Sequence, residues 1–496
     1  MYGANEKNVA EYVTTKNGVS VCENNARAKG KDKECRMSDN VANEKRKLGL
    51  FDIFFLGYGG AIGSGIFVLT GLAIAATGRS ISLVVLVGCA FMLLAYFYNV
   101  LLSSMFKFKG GDYSQKAVAF NPLFTGLAAY TTFVNGFGLA MYSVAIVTYL
   151  SAIVPGIVVY TKPIALAIIV LVFASTFRGT KFMSIINNVM IIVLMGAIAL
   201  FIIMGIPNVK EGYWGGEGFF TSGFKGFIVA IALMGWACQG ATMGPVSVSA
   251  VTKNAKRVIP FGILIGQLAL AGTYFLMVYV ASGVLPLEQV AGQNLSAVAR
   301  EIFPYWVFVI FIVGGAAFAI ATSMLVGVIM VRYPMQRVAN DGWMPPVFKK
   351  TIADGYPWVT YLLYFAFCVI PVLVGFSLDV MVSMVMIPNM IMSVYLNLAC
   401  IGIIRKYPEQ WKKSILHMPA PIMYVICVLA AGCAGVVCYN LFGLFSRGEL
   451  LLMLILLAVM FAATLFCLKI GSVKKEALQA NRKAILEEAF QSESEE

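Results

Sequence analysis

The chain has 496 residues, 60% of them hydrophobic and 12% charged, with a formal net charge of +13. That balance excludes a soluble globular domain, in which about a quarter of residues are charged. Apolar runs of about 17 residues or more recur, each long enough to cross about 30 Å of hydrocarbon, so the chain is expected to be an all-α membrane protein with 12 transmembrane helices.

Residues 1–47 are polar, rich in Asn and Lys and nearly free of aromatics, which predicts a disordered cytoplasmic tail; no cleaved signal peptide is expected in it. The spans that follow are expected at 48–76, 82–106, 122–153, 163–177, 182–206, 226–252, 260–285, 305–332, 357–376, 380–404, 419–442 and 449–468. A cytoplasmic C-terminal tail is expected at 469–496. With the N-terminus inside, 31 Lys and Arg fall on the cytoplasmic side and six on the other: Arg79, Lys162, Lys210, Lys225, Arg300 and Arg447. This split predicts an even number of spans and both termini in the cytoplasm. The net charge is then a topology signal and requires no nucleic-acid partner.

The first span opens with five glycines in nine residues, Gly57, Gly59, Gly60, Gly63 and Gly65. Each weakens a helix by roughly 0.5–1 kcal/mol relative to Ala. Two readings stand. The helix breaks, exposing backbone polar groups that a mid-membrane ligand can satisfy, or the glycines form a packing face for a neighbouring helix. The sixth span repeats the pattern with Gly235, Gly240, Gly244 and Pro245, which predicts a second break. The ten Cys form no CxxC pair and the one His, His417, lies in a loop. A metal site of Cys or His and His-based catalysis are therefore not expected, and neither is an enzyme, because no acidic pair lies at mid-membrane depth.

Five motifs carry a family resemblance. Gly60 to Phe67 reads GxIGSGIF; Gly110-Gly111-Asp112-Tyr113 precedes span 3; Arg178-Gly179-Thr180-Lys181 is followed by Asn187-Asn188; Thr252 to Pro260 reads TKNAKRVIP; and Arg332 to Pro345 reads RYPMQRVANDGWMP. In this order they resemble the amino acid–polyamine–organocation (APC) superfamily of permeases. The resemblance implies a LeuT-like 5+5 inverted repeat, 48–206 and 207–404, with helices 1 and 6 unwound, plus two peripheral helices, 405–468; Gly-interrupted segments at corresponding places in the two halves of such a transporter point to the binding site.

It also implies the site. A zwitterionic amino acid is held between half-helix ends, its carboxylate on backbone N–H groups and its ammonium on carbonyls. Ser64, Gly65 and Ile66, with Gly63 leading into them, are expected to take the carboxylate, the Ser64 hydroxyl helping; carbonyls near Ala61, Ile62 and Trp236 are expected to take the ammonium. Trp236 either closes over the substrate or is a core Trp. Gln239, beside Gly240, either lines the pocket or staples span 6 to a neighbour. Asn99, Asn135, Asn187, Asn188 and Asn397 are expected to bond between helices. Relatives that replace sodium with a Lys in span 5 differ from this chain, where 189–194 is wholly apolar. Ala319, Thr322 and Ser323 resemble the helix 8 part of a sodium site, completed by carbonyls of Gly59 and Ile62. Five neutral oxygens suit a hard monovalent cation, whereas the bland alternative has both hydroxyls bonding back to their own helix.

The expected function is a secondary transporter of neutral amino acids in the plasma membrane, with no cofactor beyond sodium as a coupling ion. Alternatives are an amino acid exchanger and a non-transporting sensor. The partners are the amino acid and the bilayer; oligomeric state is open.

Overall fold

The computed structural model describes residues 48–494 except 109–110, 120, 177–179, 216–217, 243, 250–251, 353–356 and 474; within the N-terminal unit, Met1–Lys47, it describes 14–15 and 18–19. In that unit Thr14–Thr15 pairs antiparallel with Gly18–Val19, and the rest of the expected tail lies outside the described residues.

The second unit is helical. Among the described residues, nine helices are long and apolar enough to cross a membrane, or ten if the bent pair Gly223–Cys238 and Gly240–Val246 is one span. Leu50–Ala61 and Trp358–Val374 are shorter apolar helices. Gly65–Ala95 is one long apolar stretch in which Gly78 has φ +71°, a conformation that L side chains rarely adopt. Pro155–Ser175 and Arg447–Lys469 bury only 17% of their most apolar windows. Water would not tolerate so much outward apolar surface and lipid does, which makes this a multi-pass membrane protein.

Several spans are interrupted, and neighbouring side chains fill the gaps. Span 2 runs as Ile81–Ala95 and Phe97–Met105, broken at Tyr96. Asn397, from the helix Leu378–Lys406, accepts from the Tyr98 N–H at 3.0 Å and donates to the Ala95 carbonyl at 2.8 Å. Span 3 is broken between Pro122–Val134 and Gly136–Leu150, and there Asn389 donates to the Asn135 side chain at 3.1 Å. One face of span 10 thus serves two irregular neighbours, as interhelical amides do in an apolar medium. Asn99 departs from expectation: it is fully buried, and neither amide atom has a partner among the described residues. The side chains of Asn187 and Asn188 lie outside the described residues. Span 8 contains a π-helical stretch, Phe311–Ala317.

The segment expected as a C-terminal tail contains a helix, Lys475–Ser494, which packs on the helix Gly111–Ala119. Its Ile485, Leu486 and Ala489 are buried, and the Phe490 ring lies 6.1 Å from those of Phe106 and Tyr407.

Candidate functional site

Span 1 breaks between Leu50–Ala61 and Ser64–Thr77. Ile62 is extended (φ −71°, ψ 92°) and Gly63 follows with φ −147° and ψ −144°. The residue at the start of the second helix, Gly63, makes no side-chain cap, and the first N–H groups from Ser64 onward point out of the helix's positive end. On the other side of the break the Ala61 carbonyl accepts from the Tyr274 hydroxyl at 2.8 Å. That bond occupies one of the carbonyl's two lone pairs.

Span 6 breaks after Gly223–Cys238. Thr242 turns back on Gln239, its N–H (3.0 Å) and hydroxyl (2.7 Å) both bonding the Gln239 carbonyl. The chain bends by 43° there. The Gln239 side chain is buried, and its Oε1 has no partner among the described residues, an arrangement that is costly unless something else binds it.

The two breaks face each other through their small residues. A Cβ added at Gly65 would lie 2.6 Å from the Cα of Ala237, and one at Gly240 would lie 2.6 Å from the Cα of Ala61. One at Gly57 would meet Pro245 at 3.2 Å and the Ala241 carbonyl at 3.3 Å. Both readings of the glycine stretch therefore hold, divided among its members: Gly57 and Gly65 make the packing face, while Gly63 sits in the break. Gly59 and Gly60 have nothing within 4 Å of an added Cβ.

Trp236 is half-buried. Its indole N–H donates to the Tyr142 hydroxyl at 3.0 Å, and an added Cβ at Gly138 would lie 3.2 Å from the ring edge. The partner is thus a side chain of span 3. Trp236→Phe keeps the ring over Gly138 and leaves Tyr142 without its donor. It is expected to raise the KM for uptake several-fold with little change in thermal stability, and a KM equal to that of the parent would remove Trp236 from the site.

Span 8 lies against the break in span 1. A Cβ at Gly63 would lie 2.1 Å from the Ser323 hydroxyl and 3.6 Å from the Ala319 carbonyl. Thr322 and Ser323 both donate to that carbonyl, at 2.9 and 3.1 Å, the back-bonding that apolar spans favour. Among the described residues no group of three His, Cys, Asp or Glu comes together, so any cation here would be held by neutral oxygens.

Sequence reasoning missed Tyr142, Tyr274 and Gln267. The Gln267 Nε2 donates to the carbonyls of Cys89 (2.8 Å) and Cys238 (2.6 Å), tying spans 2, 6 and 7 beside the break. Each is a polar group inside an apolar run, which must find a partner. Spacing along the chain does not say which one.

Residues 48–462 match the family model described as amino acid permease. The chain is 28% identical to the branched-chain amino acid permease BcaP of Bacillus subtilis over 390 residues, covering 74% of this chain and 82% of the relative. It is 30% identical to a methylthioribose transporter of the same bacterium over 331 residues, 62% of this chain and 69% of the relative. A cadaverine/lysine antiporter of Escherichia coli matches at 27% over 327 residues, 63% and 71% of the two chains.

Proposed function

Because the chain belongs to the amino acid permease family, we propose that it is a secondary transporter that moves neutral amino acids across the plasma membrane by alternating access. In this reading it crosses twelve times, as two inverted five-helix repeats plus two peripheral helices, with both termini cytoplasmic. Amino acid transport is what family membership supports at the coarser level.

The observation that carries the reading is the uncapped start of Ser64–Thr77 packed, through Gly65 and Gly240, against an interrupted span 6. A carboxylate suits the N–H groups at that end. The ammonium suits the break carbonyls and the Gln239 Oε1. None of the proposed contacts, Ala61 to Ile66, Trp236, Gln239 and Gly240, is a charged side chain. A cationic substrate would lack a counter-ion, so a neutral side chain is favoured, as in the branched-chain relative. Sodium is the proposed coupling ion, held by Ala319, Thr322 and Ser323 with carbonyls of Gly59 and Ile62. The antiporter among the relatives supports a second reading, exchange of one substrate for another.

Uptake of a mixed labelled amino acid pool into proteoliposomes, with or without an inward sodium gradient and with empty or loaded lumens, tests both. Accumulation in empty vesicles driven by sodium is expected. Ser323→Ala is expected to lower that component at least about ten-fold, the scale of one lost charge-assisted contact. Sodium-independent uptake that survives in Ser323→Ala would defeat the coupling, and uptake into loaded vesicles alone would establish exchange.

A further inference from the structure

The loop joining spans 7 and 8 is fastened to the half of span 1 beyond the break and to the end of span 3. Its Gly292 N–H donates to the Gly71 carbonyl at 2.8 Å. The close approach requires Gly71 to lack a side chain, since an added Cβ would lie 1.6 Å from the Gln293 carbonyl oxygen. Farther along, Arg300 donates to the Ala152 carbonyl.

Between these ties sits Tyr149, 1% exposed. Its hydroxyl donates to the Phe67 carbonyl at 2.6 Å and accepts from the Leu295 N–H at 3.2 Å, while its ring packs edge-on against Phe67 at 6.0 Å. One oxygen thus joins three elements: span 3, the second half of span 1 and the loop. The loop thus packs on the half of span 1 beyond the break.

We propose that Tyr149 is a positioning residue of the gate on this face, its hydroxyl latching the loop 285–304 over the half-helix Ser64–Thr77 when the substrate site is closed to the outside. The inference rests on the alternating-access reading above. The hydroxyl makes both bonds only when loop and half-helix are together. Removing it leaves the Leu295 N–H without its acceptor in the closed form, while in the open form water can reach that group, so the closed form alone is penalised.

The test uses the full chain carrying Val290→Cys as reporter, since Val290 is buried within the loop. The labelling rate with a membrane-impermeant maleimide is read in detergent, over the same chain without the added cysteine. Tyr149→Phe is expected to label about ten-fold faster, which corresponds to about 1.4 kcal/mol. In proteoliposomes the same variant is expected to lower both KM and maximal rate, because an outward-biased carrier binds external substrate more readily and closes less often. A merely structural loss would lower the maximal rate alone. Gly71→Ala, which wedges the loop away from the other side, is expected to accelerate labelling too. Acceleration in Gly71→Ala with unchanged labelling in Tyr149→Phe overturns the proposal. Absence of any amino acid uptake by the parent chain would defeat the transport reading and leave the labelling comparison standing.

Discussion

Gly65→Val is expected to abolish uptake while the protein remains folded in the membrane. Its first added carbon would lie 2.6 Å from the Ala237 Cα and 3.0 Å from the Ala237 N, and backbone atoms of a packed helix do not yield as the tip of a side chain does. Overpacking of this kind costs about 1–3 kcal/mol in stability. The effect on transport is larger, because Gly65 also presents one of the N–H groups proposed for the carboxylate. Displacing that group by about 1 Å is enough for losses of roughly a hundred-fold in comparable sites. Gly60→Ala is the control, since nothing lies within 4 Å of its added carbon, and uptake within about two-fold of the parent is expected there. Proteoliposome uptake beside thermal unfolding separates the two effects. Near-parental uptake by Gly65→Val would mean that spans 1 and 6 do not meet through these residues.

Asn397→Leu is expected to be the most destabilising substitution outside the site. It leaves the Tyr98 N–H and the Ala95 carbonyl, now bonded at 3.0 and 2.8 Å, without partners in a region lacking water. Each such group costs about 1–3 kcal/mol, for a total of roughly 2–6 kcal/mol. Asn99→Leu makes the contrast, because neither of its amide atoms has a partner among the described residues and its replacement by an apolar group of similar size is expected to be neutral or stabilising. Thermal unfolding in detergent reads both. Equal midpoints for the two variants would show that the Asn397 bonds do not hold the break in span 2.

The helical class and the interruptions of spans 1 and 6 were legible in the sequence because they depend on local chemistry. Long apolar runs must be helices in lipid, and five glycines in nine residues weaken a helix whatever its neighbours. The division of labour among those glycines was not legible. Whether Gly59 faces space or Gly63 faces Ser323 depends on which neighbour the fold brings up. The same holds for Tyr142, Tyr149, Tyr274 and Gln267, whose partners are distant in the chain. In span 8 the two hydroxyls that the sequence singles out both donate to the Ala319 carbonyl of their own helix, the back-bonding alternative. The span's π-helical stretch has no signature in FIVGGAA beyond two glycines.

The helix Lys475–Ser494 has a consequence for how the chain is made. It rests on Gly111–Ala119 and beside Phe106, surfaces synthesised roughly 350 residues earlier. At about 5–20 residues per second, the ribosome leaves that surface bare for somewhere between about 20 and 70 seconds. During that interval the apolar ground later covered by Ile485, Leu486 and Phe490 is open to chaperones and to other nascent chains, until the helix Lys475–Ser494 closes it.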